Sequence, residues 1–224
     1  MTPTYTLYHG DCLDILPTLA AGSVDAIITD PPYGIDFQSG WTGASISGDK
    51  DTFARDRALG IIGNKRMFVF GSPNIAEPAG TKTNLIWHRP GSGMGDLSFP
   101  FKPDYEFIHV IGDGLYYPSR GSSVLVFPWD VFRGDALHPH QKPVALIEYL
   151  IERISRPGDT ILDPFMGSGT TGIACMRTSR NFIGIELDAE YYRIAETRIR
   201  NAAGEFVLTD NERERGQLPL WGCG

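Results

Sequence analysis

The run Asp30-Pro31-Pro32-Tyr33 puts a carboxylate, two stiffened peptide units and a flat aromatic ring in four consecutive positions. These groups suit an aromatic amine. The lone pair of such a nitrogen is delocalised into its ring, so it is a poor nucleophile. The carboxylate of Asp30 and the carbonyl of Pro31 can each accept one N–H bond, which draws electron density onto nitrogen and fixes its direction of attack. The locked φ of Pro31 and Pro32 holds the carbonyl in place, and Tyr33 offers a face on which a base can stack. The same residues also read as a tight Pro-Pro turn capped by Asp30.

A second constellation is Asp163-Pro164-Phe165-Met166-Gly167-Ser168-Gly169-Thr170-Thr171. Glycines between a strand and a helix let the backbone approach a ligand, and the helix N-terminus presents amide protons to it. Glu186 follows Gly167 by 19 positions, a spacing that suits a carboxylate accepting hydrogen bonds from ribose hydroxyls. With Asp163 ahead of the turn and Glu186 behind it, a nucleoside cofactor is the expectation, rather than a turn that merely packs helix on strand. Gly167-x-Gly169-x-x-Gly172 also meets the dinucleotide-binding spacing. The glycines alone therefore do not set aside a nucleotide-dependent oxidoreductase; Asp30–Tyr33, which such an enzyme leaves unexplained, does.

Two shorter signals accompany these. In Gly10-Asp11-Cys12, Asp11 can cap the following helix or accept a proton bond from an adenine amino group. In His138-Pro139-His140-Gln141-Lys142-Pro143, the paired histidines invite a metal, but no further ligands stand at metal-site spacing, so no metal is expected. Lys142 is placed to neutralise a carboxylate in the cofactor pocket.

The elements that must position these groups alternate short apolar runs with helical patterns, which reads as α/β. Strands are expected at Tyr5–His9, Val24–Thr29, Met67–Phe70, Leu85–Trp87, Tyr105–Ile111, Val124–Phe127, Thr160–Asp163 and Asn181–Glu186. Val24–Thr29 is apolar almost throughout, as a strand buried on both faces must be. Helices are expected near Cys12–Leu19, Asp51–Ile62, Pro143–Ile154, Thr170–Arg177 and Ala189–Ala202. Gly34–Lys50 is rich in Gly and Ser, and the stretch after Gly204 is charged before it ends in a small apolar cluster.

The chain has 224 residues, 42% hydrophobic and 21% charged. This is the composition of a globular domain with a sizeable core. No apolar run reaches the roughly 20 residues that span a bilayer, and Met1–Leu7 lacks the pattern of a secretory leader, so a cytoplasmic protein is expected. Three cysteines without CxxC spacing indicate neither a disulfide framework nor a zinc site. A net charge of −7 argues against a general nucleic-acid coat, though not against an enzyme with one basic face.

Taken together, Asp30-Pro31-Pro32-Tyr33 followed much later by Asp163-Pro164-Phe165-x-Gly167-x-Gly169-Thr170-Thr171 resembles the β-class amino-DNA methyltransferases, in which the catalytic motif precedes the cofactor motif. The resemblance runs from Tyr8 to about Ala202. It implies a Rossmann-like, circularly permuted methyltransferase fold, with a mostly parallel sheet and helices on both faces, and a single domain over 1–204 before a tail at 205–224. It implies S-adenosylmethionine as cofactor, DNA as partner and an exocyclic base nitrogen as acceptor. Catalysis falls to Asp30, Pro31, Pro32 and Tyr33. The cofactor falls to Asp11, Cys12, Asp30, Lys142, Asp163, Phe165, Gly167, Ser168, Gly169, Thr170, Thr171, Glu186 and Asp188, with Phe165 at its methionine end and Glu186 on its ribose. The family's HPxQKP-type segment often carries Thr where His140 stands here.

Adenine N6 is the expected acceptor, because cytosine-N4 enzymes of this family more often carry Ser where Asp30 stands. A catalytically silent DNA-binding module is the remaining alternative, and the intact quartet speaks against it. Long-site enzymes carry a sizeable recognition insertion, whereas only a short segment within about 88–137 is available here, so recognition should be short or degenerate, or shared between two protomers. Lys50, Arg55, Arg57, Arg89, Lys102, Arg120 and Arg133 are the candidate phosphate contacts. A homodimer is a further expectation. Gln217-Leu218-Pro219-Leu220-Trp221 resembles the short peptides that dock on the bacterial sliding clamp; alternatively, its apolar side chains fold back onto the domain.

Overall fold

In the computed structural model the described residues are 2–32, 52–90, 100–101, 104–114, 121–128 and 141–204. Tyr33, Lys50, Lys102, Arg120, Arg133, His138, His140 and the segment 217–221 lie outside them, as do 34–49.

Eight strands form one sheet: β1 (Tyr5–His9), β2 (Ala26–Thr29), β3 (Arg66–Gly71), β4 (Thr81–His88), β5 (Tyr105–Ile111), β6 (Val124–Val126), β7 (Thr160–Asp163) and β8 (Asn181–Glu186). Their spatial order is β1-β8-β7-β2-β3-β5-β4-β6. Every neighbouring pair is parallel except the two that involve β5. Among the described residues five α-helices flank the sheet: α1 (Cys12–Ile15), α2 (Phe53–Ile62), α3 (Val144–Ile154), α4 (Thr170–Arg177) and α5 (Ala189–Ala202). The helix expected to reach Leu19 gives way after α1 to a 3₁₀ turn at Leu16–Thr18, where Pro17 has no amide proton to donate. The strand expected at Leu85–Trp87 begins earlier, at Thr81; its first half carries the exposed Lys82 and Thr83, so hydropathy does not mark it.

Alternation along the strands explains why their sequences are apolar throughout. Ala26 and Ile28 face one core with Phe68, Phe70, Ile161 and the helices α3, α4 and α5. Ile27 faces the other with Met67, Val69, Leu162, α1 and α2. The helix α3 buries Leu146, Ile147, Leu150, Ile151 and Ile154, a single helical face, and each such side chain contributes about 1.5–3 kcal/mol on burial.

The cofactor-motif strands β7 and β8 lie on one side of β2, and β3 lies on the other. The β7–α4–β8 unit uses one face of the sheet, whereas β2–α2–β3 uses the opposite face. The winding therefore reverses between β7 and β2. In open α/β sheets that reversal opens a crevice at the carboxyl ends of the strands.

Candidate active site

Asp30 and Asp163 both stand at this reversal. Asp30 directly follows β2, and Asp163 ends β7 beside it. The crevice is stitched underneath by Thr29, whose buried hydroxyl donates to Asp163 Oδ1 at 2.7 Å. Thr171 donates to Asp163 Oδ2 at 2.7 Å, and the Phe165 amide donates to Oδ1 at 3.1 Å. Asp163 is 3% exposed. Burial pushes its carboxyl up to about 7, against the pull of the three donors, with Asp30 adding to the rise. Its side chain is thus an organiser that joins β2, the turn and α4.

The turn itself needs its glycines. Gly167 and Gly169 have φ of 51° and 84°, where other residues are strained. A Cβ on Gly169 would lie 2.9 Å from the Ala195 Cβ, while one on Gly167 would meet nothing within 4 Å. The turn is therefore tight on the α5 side and open on the other. Gly172 serves packing instead, since a Cβ there would lie 2.4 Å from Ile199 Cδ1. Glu186 Oε2 accepts the Gly167 amide and Oε1 the Asp188 amide, each at 2.8 Å. Burial raises its pKa despite those amides. Arg198 donates to Ser168 through the carbonyl at 2.6 Å and the hydroxyl at 2.9 Å. The Gly10 amide donates to the Glu186 carbonyl at 2.9 Å, which brings Asp11 to the same rim.

On the β3 side the chemistry changes. Lys142 Nζ lies 2.8 Å from Asp30 Oδ2 and 3.1 Å from Glu106 Oε2. The ammonium sits over the rings of Phe70 and Trp87, at 5.1 and 5.9 Å. Burial alone would lower the lysine's pKa, but Asp30 and Glu106 outweigh it and hold the group above its ordinary value. Glu106 Oε1 in turn meets Arg89 Nη1 at 3.0 Å. The result is an alternating chain of charges, Arg89, Glu106, Lys142 and Asp30, drawn from β4's end, β5, the start of α3 and β2.

A family model described as DNA methylase matches residues 118–197. YubD of Escherichia coli (strain K12), which carries a methylase name, is 30% identical over 85% of this chain and 88% of its own. The chain belongs to the DNA methylase family. The DNA adenine methyltransferase YhdJ of the same strain is 27% identical, with 95% of this chain and 90% of its own covered. The crystal structure of the M1.HpyAVI–SAM complex superposes with a TM-score of 0.67 at 29% identity, covering 88% of this chain and 99% of that one.

In this DNA methylase the residues expected to act together are spread over two carboxylate environments. Asp11 caps α1 by accepting the Leu13 amide at 2.8 Å, and Asp188 caps α5 by accepting the Glu190 and Tyr191 amides. The thiol of Cys12 is buried and pushed up to about 12 by that burial and by Asp11, so it is a packing group and not a nucleophile. Phe165 lies at the turn, packed on the core beneath α1 and α2. Thr170 and Thr171 open α4 and are both buried.

Two expected phosphate contacts require correction. Arg55 is 3% exposed; it binds Asp56 at 2.8 Å and the Ala76 carbonyl at 3.0 Å, which fastens α2 to the β3–β4 loop. Arg89 turns inward to Glu106. Arg57 is exposed on α2. The residues that the sequence did not mark are Glu106, Thr29 and Arg198. Glu106 lies in a mostly apolar strand, and a lone acid inside such a run is the one signal that could have singled it out.

Among the described residues, no group of three or more His, Cys, Asp or Glu side chains is arranged to hold a metal ion. No helix among them is long and apolar enough to cross a membrane.

Proposed function

We propose that this DNA methylase transfers a methyl group from S-adenosylmethionine to the N6 of adenine in DNA. The observation that carries the reading is Asp30, fixed at the winding reversal by Lys142 and one strand away from the glycine turn. The turn suits a nucleoside donor: it is open at Gly167, faces the start of α4 and has Glu186 beneath it. The donor supplies an electrophilic methyl carbon on a sulfonium; the C–S bond breaks with its electron pair left on sulfur as the N6 lone pair forms the new N–C bond.

Asp30 and the Pro31 carbonyl each accept a hydrogen bond from one amine N–H and so aim the lone pair. The methylated nitrogen then sheds a proton to solvent. The base must leave the stack to be reached, which costs a few kcal/mol, and Tyr33 offers the ring that offsets this. Glu186 takes the ribose hydroxyls, and Asp11, Cys12, Phe165, Ser168 and Asp188 complete the donor pocket. Asp163 acts on the pocket from beneath. Lys50, Arg57, Lys102, Arg120 and Arg133 form the phosphate-facing set, so DNA affinity should fall as salt rises. We place the enzyme in the cytoplasm with its DNA, as a homodimer. The clamp reading of 217–221 predicts that a peptide of that sequence binds purified sliding clamp.

Tritium transfer from labelled S-adenosylmethionine to DNA, followed by nucleoside analysis, tests the reading. N6-methyladenine is the expected product. N4-methylcytosine, or no transfer, would overturn it.

A further inference from the structure

We infer that Glu106 is a positioning residue for methyl transfer, acting on Asp30 through Lys142. The inference rests on the methyl-transfer reading above. Its basis is the geometry of the charge chain. Side-chain exposure is 13% at Arg89, 14% at Glu106, 9% at Lys142 and 34% at Asp30, so the chain is closed at its inner end and opens at the carboxylate that meets the amine. Lysine ends a flexible four-carbon stem and carries a point charge that does not by itself fix a direction. Held by one carboxylate, the ammonium could swing and take Asp30 with it. Here it is pinned between β2 and β5, two strands that β3 separates, with the Phe70 and Trp87 rings beneath. Lys142 therefore holds Asp30 at Oδ2, 2.8 Å away, which sets the plane in which the carboxylate receives the amine.

Glu106 also sets how much of the lysine's charge Asp30 feels. The four charges sum to zero in a site with little water, where such interactions are strong. Among the described residues Asp163 also faces Asp30, and it is occupied by Thr29 and Thr171. Removing the Glu106 charge turns the whole lysine charge onto Asp30. That favours its ionised form and weakens it as an acceptor. Removing the Arg89 charge does the reverse, because Glu106 then screens Lys142 more fully. A tie that merely fastened β5 to α3 would give neither shift.

The test uses the full chain, with single-turnover methyl transfer measured against pH and S-adenosylmethionine affinity measured separately. Wild-type transfer to DNA comes first; its absence would overturn the methyl-transfer reading itself. Given transfer, Glu106→Gln should slow the step by up to about 100-fold, leave donor affinity unchanged and move the acid limb of the rate profile to lower pH. Arg89→Gln should move that limb to higher pH. Limbs that stay in place or move together would overturn the role of Glu106, as would a rate loss matched by a loss of donor affinity. Should Glu106→Gln not fold, Arg89→Gln alone decides: an upward shift supports the inference, and an unmoved limb overturns it.

Discussion

The two halves of the crevice hold their carboxylates by different means. On the β7–β8 side, Asp163 and Glu186 are held by hydroxyls and backbone amides, and burial raises both of their pKa values. On the β2–β5 side, Asp30 and Glu106 are held by the cations Lys142 and Arg89. Neutral donors fix a loop's shape with little field, which suits the nucleoside surface proposed for the glycine turn. A cation fixes a carboxylate's position by charge, which suits the acceptor role proposed for Asp30. On the reading proposed above, the first is the donor half, held by neutral groups, and the second the acceptor half, held by charge.

Substitutions can break or sharpen that contrast. The largest effect is expected from Asp30→Ala, which should lower the methyl-transfer rate by about 10²–10⁴-fold while donor affinity persists. Near-normal turnover in a rapid-quench assay would remove Asp30 from the chemistry. In the donor half, Gly169→Ala forces a Cβ against Ala195 at 2.9 Å and a strained φ of 84°. It should cost about 1–3 kcal/mol in a denaturant titration and weaken donor binding with it. Asp163→Ala strands two hydroxyls and an amide, for about 1–3 kcal/mol, whereas Asp163→Asn keeps most of those bonds.

The asparagine variant also carries a pH signature. Because burial raises Asp163 to about 7 in the fold against an ordinary 3.8, its contribution to stability is full below the ordinary value. That contribution declines as pH rises towards 7. Asp163→Asn should flatten that part of the stability profile, and an unchanged slope would show that the carboxyl titrates as usual. The smallest effect concerns His109. Burial lowers its pKa below 6.5, with Arg55 reinforcing that shift and Glu77 opposing it, and its Nδ1 pairs with Asn84 at 2.7 Å. The fold keeps it neutral, so stability should fall as pH drops below about 6.5. His109→Gln should reduce that fall in thermal melts between pH 5 and 7.

What could be read from the sequence follows the same divide. The strands β2, β3 and β7 announce themselves because both of their faces are buried. The glycine turn and Glu186 are legible because the bond between them spans a single β–α–β unit. The charge chain is not legible, since Arg89, Glu106 and Lys142 meet only once β5 is set antiparallel beside β3 and β4. That register is a tertiary fact. Arg89 looks like a surface cation in sequence for the same reason, since its partner Glu106 comes from the neighbouring strand, and Arg55 does so because its inward partner, the Ala76 carbonyl, is brought by the β3–β4 loop.

The Thr29–Asp163 bond joins residues 134 positions apart, and Thr4 meets Asn181 across 177. Such long-range closures slow folding, because the chain loses loop entropy before the contacts repay it. A nascent chain that has completed Asp30 and its prolines still has no crevice. It gains one only when β7 slots in beside β2 and β8 is in turn joined by β1. Asp30 is thus made early, and the Thr29–Asp163 bond that ties β2 to β7 beside it forms only after residue 163 has been added.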